Sequence, residues 1–316
     1  MKLLRPILLL LVCAIPTFAA DTVATMLNSG RVDEAIKTLS AAVASNSRNA
    51  EAFGQLCKAY YYAEDYDNAI ANCERAVQLE PNVSKYHLWL GRAYGDKADH
   101  SGPFAGFSLA KKVVAQFEQA VQLAPKDVEA RADLAEFYSS APSMVGGGSD
   151  KAQRMAQETA SLDPVAAANM RAQIALAAKD YDTSEREAKS AIQLSGNTAR
   201  TQLELARIYA KQKKWKEMEA NIQQALASPK RMPDDLFFAG ELLIGNGRNF
   251  TGAIDILRTY LNGPTEEQAP AFRAHYLIGR AYEKIGDKAS AAKAYRAALD
   301  LASNYRRAQD GLRHVS

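Results

Sequence analysis

The strongest constraint on this chain is an internal repeat. Eight segments each place three small or apolar residues on one helical face: a central residue, one four positions earlier and one three positions later. The central residues are Leu39, Cys73, Phe117, Ala156, Ala188, Ile222, Leu257 and Tyr295. Their separations range from 32 to 44 residues, which is typical of repeats built from one supersecondary unit. This repetition outweighs the expectation of about two globular domains that the length alone would suggest.

Each repeat is predicted to fold as two antiparallel helices. In the last full copy, apolar residues at helical spacing run from His275 to Tyr282, and a tight turn at Gly286-Asp287 precedes a second apolar face. Two helices approach closely only where side chains are small, which accounts for Gly91 and Gly279 in first helices. Because no single pair can bury its apolar face alone, the pairs must stack on one another.

The eight sets of anchors, in register over nearly all of the chain, resemble the tetratricopeptide repeat (TPR) family. The resemblance implies an all-α fold, a right-handed α-solenoid of about eight TPR-like helix pairs with a C-terminal capping helix over Tyr305–His314. It also implies a concave groove lined by the first helix of each pair and a role in binding proteins or peptides. The period is broken by extra residues, which predicts insertions near 95–112 and 139–150.

The N-terminus has the order of a secretory signal. Lys2 and Arg5 precede a short apolar stretch, Ile7 to Ile15, and small residues follow up to Ala20. We therefore predict a signal peptide over 1–20, a superhelical domain over 21–316, and a periplasmic or secreted protein. Lipid attachment at Cys13 is a weaker alternative, because Val12 is not the small residue that such a site requires. No later run is long and apolar enough to cross a bilayer, so we expect no transmembrane segment in the mature chain.

Composition gives little support to nucleic-acid binding or catalysis. The 39 basic and 36 acidic residues leave a net charge of only +3, without a concentrated basic region, so no nucleic-acid partner is expected. Only four histidines occur, none in an H-E-x-x-H pattern, and the run Gly146–Gly148 does not fit the spacing of a phosphate-binding loop. We predict no enzyme activity, no catalytic residues, no metal and no cofactor.

Two cysteines remain after the predicted signal. Cys57 and Cys73 lie sixteen residues apart in what should be an oxidising compartment. They can form one disulfide or serve as two buried thiols in the core, and the sequence favours neither.

Basic residues recur at the groove positions of the predicted first helices. One residue after the small packing position stand Lys58, Arg92, Arg207 and Arg280, although Glu136 breaks the series. One turn upstream stand Lys85, Arg200 and Arg273, opposed by Glu51 and Glu129. Tyr61 and Tyr62 add aromatic surface near the first basic residue. These residues predict a groove that favours acidic or carboxylate-ended peptides, while the alternative is that they are solvated or paired within the protein.

The segment Gly102–Leu109 is unusually apolar for an insertion. It could dock a partner or touch a membrane, but folding back over neighbouring helix ends is the favoured expectation.

The predicted function of the whole chain is a non-enzymatic protein–protein interaction scaffold in the cell envelope. The alternative is a self-assembling structural component of an envelope complex, joined through its ends or this apolar segment.

Overall fold

The computed structural model describes the backbone of residues 17–316 and the side chains of residues 23–316. Residues 1–16, which hold most of the predicted signal peptide and Cys13, lie outside the described residues. Residues 17–20 of that predicted peptide form the start of the first helix.

The described chain folds into seventeen α-helices with short connections. Their bounds are α1 Thr17–Asn28, α2 Val32–Ser45, α3 Ala50–Tyr62, α4 Tyr66–Leu79, α5 Ser84–Asp99, α6 Pro103–Leu123, α7 Val128–Ser140, α8 Ser149–Thr159, α9 Pro164–Ala177, α10 Tyr181–Ser195, α11 Ala199–Lys211, α12 Trp215–Ala227, α13 Pro233–Gly245, α14 Phe250–Leu261, α15 Ala271–Ile285, α16 Lys288–Leu299 and α17 Arg306–Val315. Consecutive helices pair as α1/α2 to α15/α16, which makes eight pairs, and α17 packs on the last pair. The all-α solenoid and its C-terminal capping helix are confirmed.

The predicted anchors form the contacts between the helices of each pair. All eight central residues are buried, and so are most of their flanking partners. In three of the pairs the first helix approaches its central anchor through a glycine: Gly91, Gly240 or Gly279. A Cβ atom added to Gly279 would lie only 2.5 Å from the Tyr295 ring, and one added to Gly91 would lie equally close to the Phe117 ring. The glycines therefore set the spacing between helices that the repeat requires.

The first insertion lengthens a helix instead of adding a loop. Helix α6 begins ten residues before its anchor Val113, whereas α4 begins three residues before Ala69. The seven additional residues extend the α5/α6 hairpin by about 10 Å at a rise of ~1.5 Å per residue. The favoured expectation that this segment is buried was wrong, because the Phe104 side chain is 95% exposed.

The second insertion forms a compact connection between α7 and α8. A 3₁₀ turn spans Ser143–Val145, and Gly146 follows it with a φ of +103°, a conformation that side chains other than glycine's rarely adopt. Val145 is buried, and Gly146 lies against Val114 of α6, so the two insertions are neighbours in space.

The solenoid also closes on itself, which the repeat pattern did not predict. Val32 and Ala63 share a buried apolar cluster with Phe272, Tyr305 and Ala308. Backbone and side-chain hydrogen bonds reinforce the contact: the amide of Ser303 donates to Asp33 Oδ2 at 2.8 Å, and Thr265 Oγ1 donates to the Asn28 carbonyl at 2.7 Å. The first two repeats are thereby joined to the last repeat and to α17.

Candidate binding site at the closure of the solenoid

A cavity of about 650 Å³ lies where the N-terminal and C-terminal repeats meet, and we call it the closure cavity. Helices α3 and α5 provide one wall, and the segment before α15, α15 itself and α17 provide the other. Its lining residues are Lys58, Tyr61, Tyr62, Glu64, Tyr66, Lys85, Leu88, Trp89, Arg92, Asp96, His100, Asp127, Glu129, Glu267, Gln268, Arg273 and Arg307. The cavity exists only because the solenoid closes, since no single repeat supplies both walls.

Aromatic rings form the centre of the α3/α5 wall. The Trp89 ring meets Tyr61 and Tyr62 edge to face, with centroids 5.3 and 5.6 Å apart. Two cations lie over the same indole: Lys58 Nζ is 5.3 Å from its centroid, and Arg92 Cζ is 4.7 Å from it. Such edge-to-face and cation–π contacts hold the rings in a fixed arrangement.

Most of the cations in the cavity are neutralised by carboxylates. Lys58 Nζ lies 2.7 Å from Glu267, which crosses the closure. Arg92 binds both Glu129, at 2.7 Å, and Asp133, at 2.6 Å, on the next first helix. The lining includes five lysine or arginine residues and five carboxylates, so the cavity carries no large excess of positive charge.

Burial changes the acid–base behaviour of the lining. It raises the pKa of Tyr61, Tyr62 and Tyr66, and nearby carboxylates such as Asp96 raise these pKa values further. The phenols therefore remain protonated at neutral pH and can donate hydrogen bonds. Burial also raises the pKa of Glu64, which Arg307 partly offsets.

Six of the nine predicted groove residues line the closure cavity, namely Lys58, Tyr61, Tyr62, Lys85, Arg92 and Arg273. The other three lie on first helices outside it. Arg200 is held by Asp234 and Asp235 at 2.6 and 2.8 Å. Arg207 lies 3.8 Å from Glu204, and Arg280 lies over the Tyr276 ring at 6.0 Å.

The pairing reduces the support for an acidic ligand. Lys58, Arg92, Arg200 and Arg273 each meet a carboxylate within 2.8 Å. In the part of the chain that the structure describes, Lys85 forms no ion pair and remains exposed at the edge of the cavity. Lys85 is thus the cation most available to a ligand.

A second cavity, of about 750 Å³, continues from the first. The two share Tyr61, Arg92 and Asp96, and the second extends over Val113 to Val145 between the insertions. The concave face therefore offers a polar, aromatic portion followed by a more apolar one.

The two remaining cysteines and His87 have structural positions. Cys57 on α3 and Cys73 on α4 form a disulfide, with Cα atoms 5.1 Å apart. The ring nitrogens of His87 lie 2.7 Å from Gln116 and 2.8 Å from the Pro81 carbonyl. Among residues 23–316, no group of three or more His, Cys, Asp or Glu side chains is arranged to hold a metal ion.

Sequence reasoning missed several lining residues, among them Tyr66, Trp89, Glu267 and Arg307. A signal for Trp89 was present, since Lys85, Trp89 and Arg92 stand at i, i+4 and i+7 and so share one helical face. Glu267 and Arg307 carried no such signal, because their place in the site depends on the closure.

Comparison with known proteins agrees with this architecture. Residues 55–98 and residues 272–305 match two family models, both described as tetratricopeptide repeat. The first match covers the second half of α3, all of α4 and most of α5, and the second covers most of α15 and all of α16.

Two solved structures show the same fold. A thermophilic TPR protein of Thermus thermophilus superposes with a TM-score of 0.50 at 16% identity, covering 60% of this chain and 96% of its own. Yeast Tom70 superposes with a TM-score of 0.50 at 11% identity, covering 96% of this chain and 82% of its own.

Among curated proteins, cellulose synthase operon protein C of Escherichia coli K12 is 40% identical over 62 residues. A putative protein of the same name from E. coli O157:H7 matches equally. The matched segment is 20% of this chain and spans only 5% of the length of those relatives. The two matched segments are tetratricopeptide repeats, and the eight stacked helix pairs give the chain the solenoid fold of tetratricopeptide-repeat proteins.

Proposed function

We propose that this protein is a non-enzymatic scaffold of the cell envelope that holds a segment of another protein in the closure cavity. Tetratricopeptide repeats imply a protein-interaction scaffold, and the fold is typically non-catalytic. The observation that carries the proposal is the closure cavity itself. It is concave, rich in fixed aromatic rings, and assembled from both ends of the solenoid.

The lining indicates what kind of segment would fit. Trp89, Tyr61 and Tyr62 offer ring edges and faces for an apolar or aromatic side chain. The paired charges around these rings favour a ligand segment that carries both acidic and basic side chains over one that is strongly acidic. A single carboxylate of the ligand would form a charge-assisted hydrogen bond with Lys85 at the edge of the cavity. The ligand would then continue over the apolar second cavity.

The envelope location has two supports. The N-terminal order of charge, apolar stretch and small residues is that of a secretory signal. The name of the E. coli relatives associates them with cellulose synthase, although the match covers only a short segment. No helix among the described residues is long and apolar enough to span a membrane.

Site-specific photo-crosslinking tests the proposal. A photoreactive phenylalanine analogue placed at Tyr62 should capture a discrete partner in cells, and digestion should map the crosslink to one segment of that partner. The matched control carries the same analogue at Tyr181, a half-exposed tyrosine at the start of α10, outside the cavity. Equal capture from both positions, or capture from Tyr181 alone, would show that the closure cavity is not the binding site.

A further inference from the structure

The extended tip of the α5/α6 hairpin has the chemistry of a membrane contact. Pro103 begins α6, and the next residues place two phenylalanines in solvent: Phe104 is 95% exposed and Phe107 is 40% exposed. Helix α5 ends at Asp99, so the turn between the helices forms the end of the projection. Large apolar side chains exposed together at a projecting tip tend to mark a contact with a partner or a membrane.

Two lysines lie on the same side of α6 as the phenylalanines. At 100° per residue, Phe104, Phe107, Lys111 and Lys112 fall within about 140° of one another around the helix. Lys111 Nζ lies 4.7 Å from the Phe107 ring centroid, and Lys112 Nζ lies 4.9 Å from the Tyr94 ring centroid. Within residues 23–316 neither lysine has a carboxylate in ion-pair range, so both charges are available.

We propose that this tip, defined by Phe104, Phe107, Lys111 and Lys112, docks on the surface of an anionic phospholipid bilayer. The phenyl rings would enter the boundary between headgroups and acyl chains, and the ammonium groups would meet lipid phosphates. The combination of exposed aromatic rings and unpaired cations distinguishes this occupant from a second copy of the chain, whose matching tip would bring lysine against lysine. Two rings and two charges predict reversible attachment and not stable anchoring.

Asp99 sets a limit on this attachment. It is exposed at the end of α5, beside the start of α6, and its carboxylate would be repelled by anionic headgroups. Asp99→Asn should therefore strengthen binding to anionic vesicles.

Vesicle co-sedimentation of the purified protein provides the test, with the N-terminus determined by mass spectrometry and identical in every variant. The wild type should bind vesicles of phosphatidylglycerol and phosphatidylethanolamine, and should bind phosphatidylcholine vesicles weakly. The double variant Lys111→Gln/Lys112→Gln should bind about 25-fold more weakly, because each lysine is expected to contribute about fivefold to the affinity. Phe104→Ser/Phe107→Ser should lose at least about tenfold.

Matched controls alter the same chemistry elsewhere. Leu194→Ser/Met232→Ser removes two other exposed apolar side chains, and Lys284→Gln/Lys288→Gln removes two other exposed lysines. Both controls should bind within about twofold of the wild type. Circular dichroism should show that all variants keep the same helix content.

A direct probe of the contact uses tryptophan. The wild type contains only Trp89 and Trp215, so Phe104→Trp adds a third indole at the tip. Vesicles with brominated acyl chains should quench the added fluorescence and leave the wild-type signal almost unchanged.

The proposal is overturned if the wild type does not bind anionic vesicles, or if the tip variants bind as well as the controls. It is equally overturned if light scattering shows that the tip variants abolish a dimer while membrane binding persists.

Discussion

Nε of Arg307 lies 2.7 Å from Oε2 of Glu64, which ties the last helix of the chain to the turn after α3. Glu64 and Tyr305 belong to the same region, and Tyr305 is fully buried in the apolar cluster that joins the two ends. A polar pair at the edge and an apolar cluster behind it thus hold the solenoid closed. The candidate site depends on this closure, because Lys58 on α3 and Glu267 before α15 form an ion pair across it.

The first prediction concerns the balance of charge at this pair. Burial raises the pKa of Glu64 above its usual value. Between the pKa of Glu64 in the unfolded chain and its higher pKa in the folded protein, the folded state therefore binds more protons than the unfolded state. Stability contributed by this group is therefore highest at low pH and falls as pH rises through the folded pKa. Arg307→Ala removes the main opposing charge and should raise that pKa further.

We expect Arg307→Ala to cost about 1 kcal/mol at pH 7, a modest figure because the arginine side chain is 46% exposed. The loss should be smaller at pH 4, where Glu64 is more protonated. Glu64→Gln should cost less than Arg307→Ala at pH 7, since it leaves no buried charge unpaired. Thermal unfolding of the three proteins at both pH values checks this, and a cost for Arg307→Ala that does not change with pH would contradict it.

The second prediction concerns helix spacing. Gly279→Ala would place a methyl group 2.5 Å from the buried Tyr295 ring, so the helices of the last pair must separate. We expect a loss of about 1–3 kcal/mol in the free energy of unfolding. Gly245→Ala is the control, because a Cβ there meets no atom within 4 Å and alanine favours the helix. Denaturant titration should separate the two variants, and equal stabilities would refute the packing role of Gly279.

The third prediction concerns the disulfide of the second repeat. Cys57 and Cys73 are separated by 16 residues, and closing a loop of that size stabilises a fold by about 3 kcal/mol. A reducing agent should lower the melting temperature of the wild type and leave Cys57→Ala/Cys73→Ala unaffected. Alkylation followed by mass spectrometry should find both thiols blocked before reduction. Free thiols in protein isolated under oxidising conditions would contradict the bond.

Much of the fold was predictable because each repeat carries its own anchors. Positions such as Cys73, Ile222 and Tyr295 face the partner helix in every pair, so a period in the sequence translates directly into buried residues. The closure was not predictable in this way. A repeat pattern specifies contacts between neighbouring units, and the small rotation per repeat decides whether distant units meet.

The charges of the groove were predictable only in part. The basic positions were identified correctly as first-helix residues, but their carboxylate partners were not. For Arg92 these partners, Glu129 and Asp133, lie about one repeat later. Acidic residues spaced 34 to 41 positions after a groove arginine were a signal for this pairing, and Asp234 and Asp235 follow Arg200 in the same way. The exposed Phe104 differs from expectation because two additional helical turns lift it away from the scaffold.

The most direct test of the central claim is the affinity of the crosslinked partner segment, made as a peptide, for variants of the closure cavity. Lys85→Glu and Trp89→Ala should each weaken binding by at least about tenfold, because they remove the available cation and the central ring of the aromatic wall. Lys58 and Arg92 are unsuitable for this purpose, since reversing them would also break ion pairs that hold the cavity. Lys288→Glu, on the exposed start of α16, should bind as the wild type does. Isothermal titration calorimetry with unchanged affinity for both cavity variants would contradict the proposal that the closure cavity is the binding site.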